Sequence, residues 1–116
     1  MEKAMLYKNL NDTEKFQSAE QLWFWFLFSK SVQNNFIHKT SNIHRPCELL
    51  DVETLITKLY LSGKLTEEQL NIMKVFGDKK RAPHQYIFSE NKSAALWKSA
   101  METLDCAARI KGWLTD

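Results

Sequence analysis

Apolar residues recur at helical spacing in three segments of this chain, and a fourth segment is apolar on every side. Between Asp51 and Ser62 they fall at i, i+3, i+4, i+7 and i+8, which is typical of a helix with one buried face. That stripe consists of Val52, Leu55, Ile56, Leu59 and Tyr60. Helices beginning at Thr66 and at Ser89 or Asn91 follow from the same spacing, the last reaching Lys111. With the aromatic segment, the pattern predicts four helices.

Capping signals predict where the helices begin and end. Ser18–Gln21 and Thr66–Gln69 have the spacing of a capping box, in which a hydroxyl accepts from a free backbone N–H and the glutamine side chain returns a hydrogen bond. Gly63, Gly77 and Gly112 follow the three later helices. We predict these glycines as helix stops, because glycine adopts left-handed backbone at little cost.

The first predicted helix carries a run of aromatic residues. It is expected to begin at Ser18, or a turn earlier, and to end near Asn34 or Phe36. Leu22–Phe28 point in every direction around a helix, so other helices or a second copy of the chain must cover them. The simplest interpretation is the central helix of the core. The alternative is a dimer or partner interface that contains Trp23, Trp25 and Phe28.

Composition supports a single helical domain. The 116 residues include only three Gly and two Pro, too few for the many turns of a sandwich or barrel. We predict an all-α protein, a compact bundle of about four helices with a central helical hairpin, helix-turn-helix-like, made by the second and third helices. Residues 1–12 lack periodicity and are predicted to be a flexible arm, with one domain over 13–116.

Compartment and membrane association also follow from the sequence. The two cysteines, Cys47 and Cys106, lie far apart, and no secretory signal precedes the domain, so we expect a cytoplasmic protein. The longest apolar run, Leu22–Phe28, has seven residues. Since a membrane-spanning helix needs roughly 20, we expect no membrane association.

Positive charge is concentrated in two predicted loops, although the net charge is only +2. No acidic residue lies between Gln21 and Cys47, or between Arg81 and Glu90. The candidate nucleic-acid-binding residues are Lys39, Arg45, Lys79, Lys80 and Arg81. If the fold brings the loops together, these side chains can neutralise phosphates. The alternative is ordinary solvated surface.

Few residues suggest chemistry. His44 and Cys47 have a ligand-like spacing, but structural zinc needs three or four converging ligands. A nucleophile could in principle combine Cys47 with His44 or His84. Phosphate-binding loops, metalloprotease helices and nucleophile elbows are absent from the sequence. We therefore expect no catalytic residue, cofactor or metal, and we expect Cys106 to be a small packed residue.

Several short motifs resemble a family of short, poorly characterised α-proteobacterial or phage-like helical proteins. They extend over residues 45–113, about 60% of the chain. The matching residues are Arg45–Glu48, Leu59–Tyr60, Gly63–Leu65, Phe76–Asp78, Arg81–Pro83 and Trp97–Trp113. The resemblance implies a transcription-related factor, with the aromatic helix outside the match.

Two functional hypotheses follow. The first is a small DNA-associated regulatory protein, a homo-oligomer that binds double-stranded DNA through its basic loops. The segment Leu65–Leu70 is typical of the entry to a helix in DNA-binding hairpins, although Asn71 replaces the usual small residue. The second is a protein-interaction or assembly module that dimerises through the aromatic helix and has no catalytic activity.

Overall fold

The part of the chain that the structure describes folds into four α-helices. The structure, a computed structural model, describes residues 13–34 and 44–115. The helices are α1 (Ala19–Asn34), α2 (Leu49–Leu61), α3 (Glu67–Lys79) and α4 (Asn91–Ile110), and a 3₁₀ turn over Phe88–Glu90 precedes α4. The predicted all-α class with four helices is confirmed. The predicted N-terminal arm lies outside the described residues. Within those residues no helix is long and apolar enough to cross a membrane.

Both predicted capping boxes are present, one complete and one altered. At α3, Thr66 Oγ1 accepts from the Gln69 N–H at 3.1 Å, and Gln69 Oε1 accepts from the Thr66 N–H at 2.9 Å. At α1, Ser18 Oγ accepts from the Gln21 N–H at 3.1 Å. The Gln21 side chain, however, accepts from the N–H of Gln17 at 2.6 Å. The serine therefore caps α1 as predicted, while the returning bond falls one residue earlier.

Other helix ends differ only slightly from the predictions. Helix α2 begins at Leu49, two residues before the predicted Asp51, because the Glu48 N–H donates to Asp51 Oδ2 at 2.8 Å. Gly63 and Gly112 have φ values of +81° and +80°, as expected for residues that end α2 and α4 in the left-handed region.

Gly77 is not a helix stop, and this prediction is wrong. Helix α3 continues to Lys79, and Lys80 takes the left-handed conformation instead, with φ 61°. Gly77 is buried inside α3. A Cβ at this position would overlap Leu27 Cδ1 and lie 2.9 Å from Trp23 Nε1. Its missing side chain thus allows α1 and α3 to approach closely.

The most extensive helix packing joins α3 to α4, and α1 packs against all three other helices. Gln69 Nε2 donates to Ser99 Oγ at 2.9 Å near the start of α3. Arg81, just after α3, bonds to Glu90, just before α4. These two contacts show that α3 and α4 run antiparallel. Helices α2 and α3 follow one another through residues 62–66, but they pack against each other far less than α3 packs against α4.

Two tryptophan indole groups hold α1 against α3 and α4. Trp23 Nε1 donates to the Met73 carbonyl oxygen at 2.8 Å, and Trp97 Nε1 donates to Glu20 Oε2 at 2.8 Å. The ring of Phe24 stacks on Trp97 with centroids 5.8 Å apart. Because both indole N–H groups have acceptors, both tryptophans can be buried without leaving an unsatisfied donor.

The segment before α1 meets the segment after α4 at the C-terminal end of α4. The Phe16 N–H donates to the Trp113 carbonyl at 2.9 Å, and the Thr115 N–H donates to the Phe16 carbonyl at 2.8 Å. Trp113 and Leu114 are buried, so the segment after α4 folds back onto the bundle.

Cys106 is exposed, so its prediction as a packed residue is wrong. The buried face of α4 passes through Leu104 and Ala108. Cys106 is two residues from each, and at about 100° per residue it points to the opposite side of the helix. Cys106 is close to apolar residues in the sequence, but it does not lie on the buried face of α4.

The close approach at Gly77 gives a test of the packing. Replacing a glycine by alanine inside an exposed helix usually stabilises a protein by about 1 kcal/mol. We expect Gly77→Ala to have the opposite sign and to lower the free energy of unfolding by about 1–3 kcal/mol, because the new Cβ overlaps α1. Urea denaturation measures this change.

A double-mutant cycle supplies the control. In the Leu27→Ala background, which removes the overlapping methyl group, the cost of Gly77→Ala should fall. An equal cost in both backgrounds, or stabilisation by Gly77→Ala alone, would contradict the packing described.

Candidate interaction surface at the end of α3

Arg45 and Arg81, one from each predicted basic loop, lie near opposite ends of α4. Arg81 pairs with Glu90, directly before α4. Arg45 lies 4.5 Å above the centroid of the Phe16 ring, and Phe16 bonds to Trp113, just after α4. Helix α4 has 20 residues, a length of about 30 Å. These two arginines therefore do not share one surface. Lys39 lies outside the described residues.

The charge of Arg45 is used within the chain. Its Nη1 donates to the Glu14 carbonyl at 3.2 Å and lies 3.9 Å from Glu14 Oε1. The guanidinium also covers the face of Phe16, a favourable cation–π arrangement. Arg45 thus fastens the segment before α1 to the segment before α2, and little of its side chain faces solvent.

Arg81 is also engaged within the chain. Its Nη1 and Nη2 donate to the two oxygens of Glu90 at 2.9 and 2.7 Å. Glu90 Oε1 accepts a further bond from the His84 N–H at 2.8 Å. The hydrogen bonds from Arg81, and then that from His84, lower the pKa of Glu90 to about 2. We call this set of contacts the Arg81–Glu90 brace; it fixes both ends of the segment from 81 to 90.

Lys79 and Lys80 differ from the two arginines. Both are exposed, and neither pairs with a carboxylate in the part of the chain that the structure describes. Lys79 Nζ lies 4.9 Å from the centroid of the Phe76 ring. Of the predicted phosphate-binding residues, these two lysines alone among those described remain available to a ligand.

The braced segment presents three consecutive large apolar side chains to solvent. Tyr86 is 83% exposed, Ile87 45% and Phe88 91%. Single exposed apolar residues are common on proteins, but contiguous exposed apolar surface marks a binding site. We call Tyr86–Phe88 the apolar loop. Sequence reasoning placed these residues in a loop and did not identify them as a site.

A groove lies beside the C-terminal end of α3, between that helix and α1. Its volume is 470 Å³, within the range of ligand-binding clefts, roughly 300–1,000 Å³. We call it the α1–α3 groove. Its lining residues are Phe24, Leu27, Phe28, Ser31, Val32, Gly77, Asp78 and Lys80. Because the braced segment from 81 to 90, which contains the apolar loop, follows α3 directly, the groove and the loop belong to the same end of that helix.

The aromatic residues predicted as an interface occupy three different environments. Trp23 is buried in the core of its own chain, with its indole bonded to Met73. Trp25 is half-buried, with its ring centroid 5.1 Å from that of Phe16. Phe28 is 61% exposed and lines the α1–α3 groove. Of the three, Phe28 is the most exposed, while the other helices cover the face that carries Trp23.

The two histidine candidates lie near opposite ends of α4. Burial, and then the nearby carboxylate of Asp51, raise the pKa of Cys47 to about 12, so the thiol is protonated at neutral pH. The backbone of His84 belongs to the brace before α4, while the His44 carbonyl accepts from the Glu14 N–H near the other end of that helix. Among the described residues, no group of three or more His, Cys, Asp or Glu side chains could hold a metal ion.

Comparison with protein-family models, curated proteins and solved structures finds no match to this chain. The resemblance to α-proteobacterial or phage-like helical proteins therefore stays a prediction.

The Arg81–Glu90 brace predicts a defined pH dependence. The pKa of Glu90 is about 2 in the folded chain, below the value of about 4.3 expected when unfolded. The ionised Glu90 carboxylate therefore stabilises the fold fully above a pH of about 4.3, and this stabilisation is lost as the pH falls towards about 2. We expect wild type to have a higher Tm than Glu90→Gln near neutral pH, and the difference to shrink in acid. Thermal unfolding across this pH range measures it, and a constant difference would contradict the brace.

Proposed function

We propose that this chain is a protein-interaction module whose binding surface is the apolar loop together with the α1–α3 groove. The observation that carries the proposal is the exposure of Tyr86, Ile87 and Phe88 on a braced segment. Removing apolar surface from water is the main driving force of protein association. Burying a phenylalanine side chain is worth about 1.5–3 kcal/mol, so Phe88 suits the role of an anchor.

The brace adds to the case because it limits the flexibility of the loop. Arg81 and His84 both donate to Glu90, and the Tyr86 N–H donates to His84 Nδ1 at 3.2 Å. A loop already held in shape loses less conformational entropy on binding than a free one. Aromatic side chains on such a support are the residues that most often dominate the energy of an interface.

Charge placement gives the DNA-associated alternative less support. In a helix-turn-helix, residues at the start of the second helix contact base edges in the major groove. Here α3 starts with Glu67 and Glu68, both exposed, whose carboxylates would face the phosphates. Arg45 and Arg81 also lie near opposite ends of α4, a helix about 30 Å long.

A capture experiment tests the interaction surface. We expect wild-type protein to retain a partner, either another protein or a second copy of the chain, while Phe88→Ser loses it. Ile110→Ser is the matched control, since Ile110 is 81% exposed but lies at the other end of α4. The retained partner is then purified and titrated against all three proteins by calorimetry. Equal affinity for wild type and Phe88→Ser would overturn the proposal.

One observation favours nucleic-acid binding as a second candidate function. Lys79 and Lys80 lack carboxylate partners among the described residues, and the apolar loop that follows them exposes Tyr86 and Phe88. Cationic side chains beside exposed aromatic rings can bind phosphates and stack bases.

A salt titration with duplex and single-stranded DNA tests this second function. If this second function holds, the plot of log K against log salt for the duplex should become less steep in a Lys79→Ala, Lys80→Ala double variant. The magnitude of its slope should decrease by roughly 0.9 per removed lysine. The double variant Lys64→Ala, Lys111→Ala, altered near the other end of α4, should keep the wild-type slope. Absence of binding at low salt, or binding without a salt slope, would exclude a phosphate role.

A further inference from the structure

We propose that the occupant of the α1–α3 groove is the apolar loop of a second copy of this chain. The inference rests on the proposed function and names the partner of the same surface. Each chain carries both halves of the contact: an open apolar groove, and a projecting loop with three apolar side chains. Both halves belong to the C-terminal end of α3, so the same surface can insert its loop into a second copy and receive that copy's loop in its groove.

The shapes and side chains of the two halves suit one another. Phe88 is 91% exposed and begins the 3₁₀ turn that leads into α4, so its backbone is set before any contact forms. The groove offers the rings of Phe24 and Phe28 and the side chain of Leu27. Aromatic rings entering such a site can pack edge-to-face or offset against those already there.

Charge also favours this occupant. The residues of the segment from 85 to 89, Gln-Tyr-Ile-Phe-Ser, carry no charge, and Glu90 is neutralised by Arg81. The groove has one acidic and one basic side chain at its rim, Asp78 and Lys80. A neutral apolar segment can therefore enter without burying an unpaired charge of its own. A strongly acidic or basic segment would gain from one rim residue and be repelled by the other.

The contact pairs the α3 end of one copy with the α3 end of another. If each copy gives its loop to the other, the result is a closed dimer; if a copy gives its loop to one neighbour and receives from a second, a longer series forms. Ile110, near the far end of α4, stays outside the contact in both arrangements. Phe28 and Phe88 are common to both.

Sedimentation equilibrium over a range of protein concentrations tests self-association. We expect wild type and Ile110→Ser to associate as concentration rises, and Phe88→Ser and Phe28→Ser to stay monomeric. Phe88 and Phe28 are exposed, so their replacement should leave the fold intact, which circular dichroism and thermal unfolding check. Wild type that is monomeric throughout, or Phe88→Ser that associates like wild type, would overturn the inference.

A disulfide-trapping experiment tests which surfaces meet. In a Cys106→Ser background, Val32→Cys places a thiol on the groove and Ser89→Cys places one beside Phe88. Each chain then has one introduced cysteine besides the buried Cys47. Mixing the two chains, made with different masses, should give the mixed disulfide under mild oxidation. Replacing the Ser89→Cys chain by an Ile110→Cys chain should not. Equal trapping by both chains would overturn the inference.

The experiments separate this inference from the proposed function. A monomeric chain that retains a different protein through Phe88 would overturn self-association and leave the interaction surface standing. Loss of both self-association and Phe88-dependent capture would remove the interaction surface as well.

Discussion

The seating of α1 on α3 is the contact on which the rest of the structure depends. Trp23 donates its indole N–H to Met73, and one turn further along α3 the missing side chain of Gly77 lets Trp23 and Leu27 approach the helix. Next to this close approach, Phe28 and Val32 of α1 line the groove together with Asp78 and Lys80, and Phe28 is exposed. The α1–α3 groove is thus a direct result of how the core packs.

The basic residues show how the fold determines what a charge can do. Arg45 and Arg81 are neighbours of acidic or aromatic groups, and each ties two segments of its own chain together. The two arginines lie near opposite ends of α4, where each stabilises a separate part of the fold, and they do not form one phosphate-binding surface. Lys79 and Lys80 pair with no carboxylate among the described residues, so of the predicted phosphate-binding residues described they are the ones still open to a ligand.

The end of α3 combines features that protein-binding surfaces need. Lys80 ends the helix in the left-handed conformation, and the brace then holds the following segment by paired hydrogen bonds. The brace holds Tyr86–Phe88 in a defined shape while these side chains remain in solvent. A pre-ordered apolar loop beside an apolar groove is a reason to assign the function to this end of the molecule rather than to the aromatic helix as a whole.

The sequence by itself determined the helical class, the capping of α3 by Thr66, and the stops at Gly63 and Gly112, because these depend on residues within one or two turns. Only the tertiary structure decided that Gly77 is a packing residue, that Trp23 is buried while Phe28 is exposed, and that Arg45 and Arg81 lie apart. Such outcomes depend on which face of a helix is covered by residues distant in the sequence, and on the length of α4 between Arg81 and Arg45. The spacing of residues within one segment of the sequence contains neither kind of information.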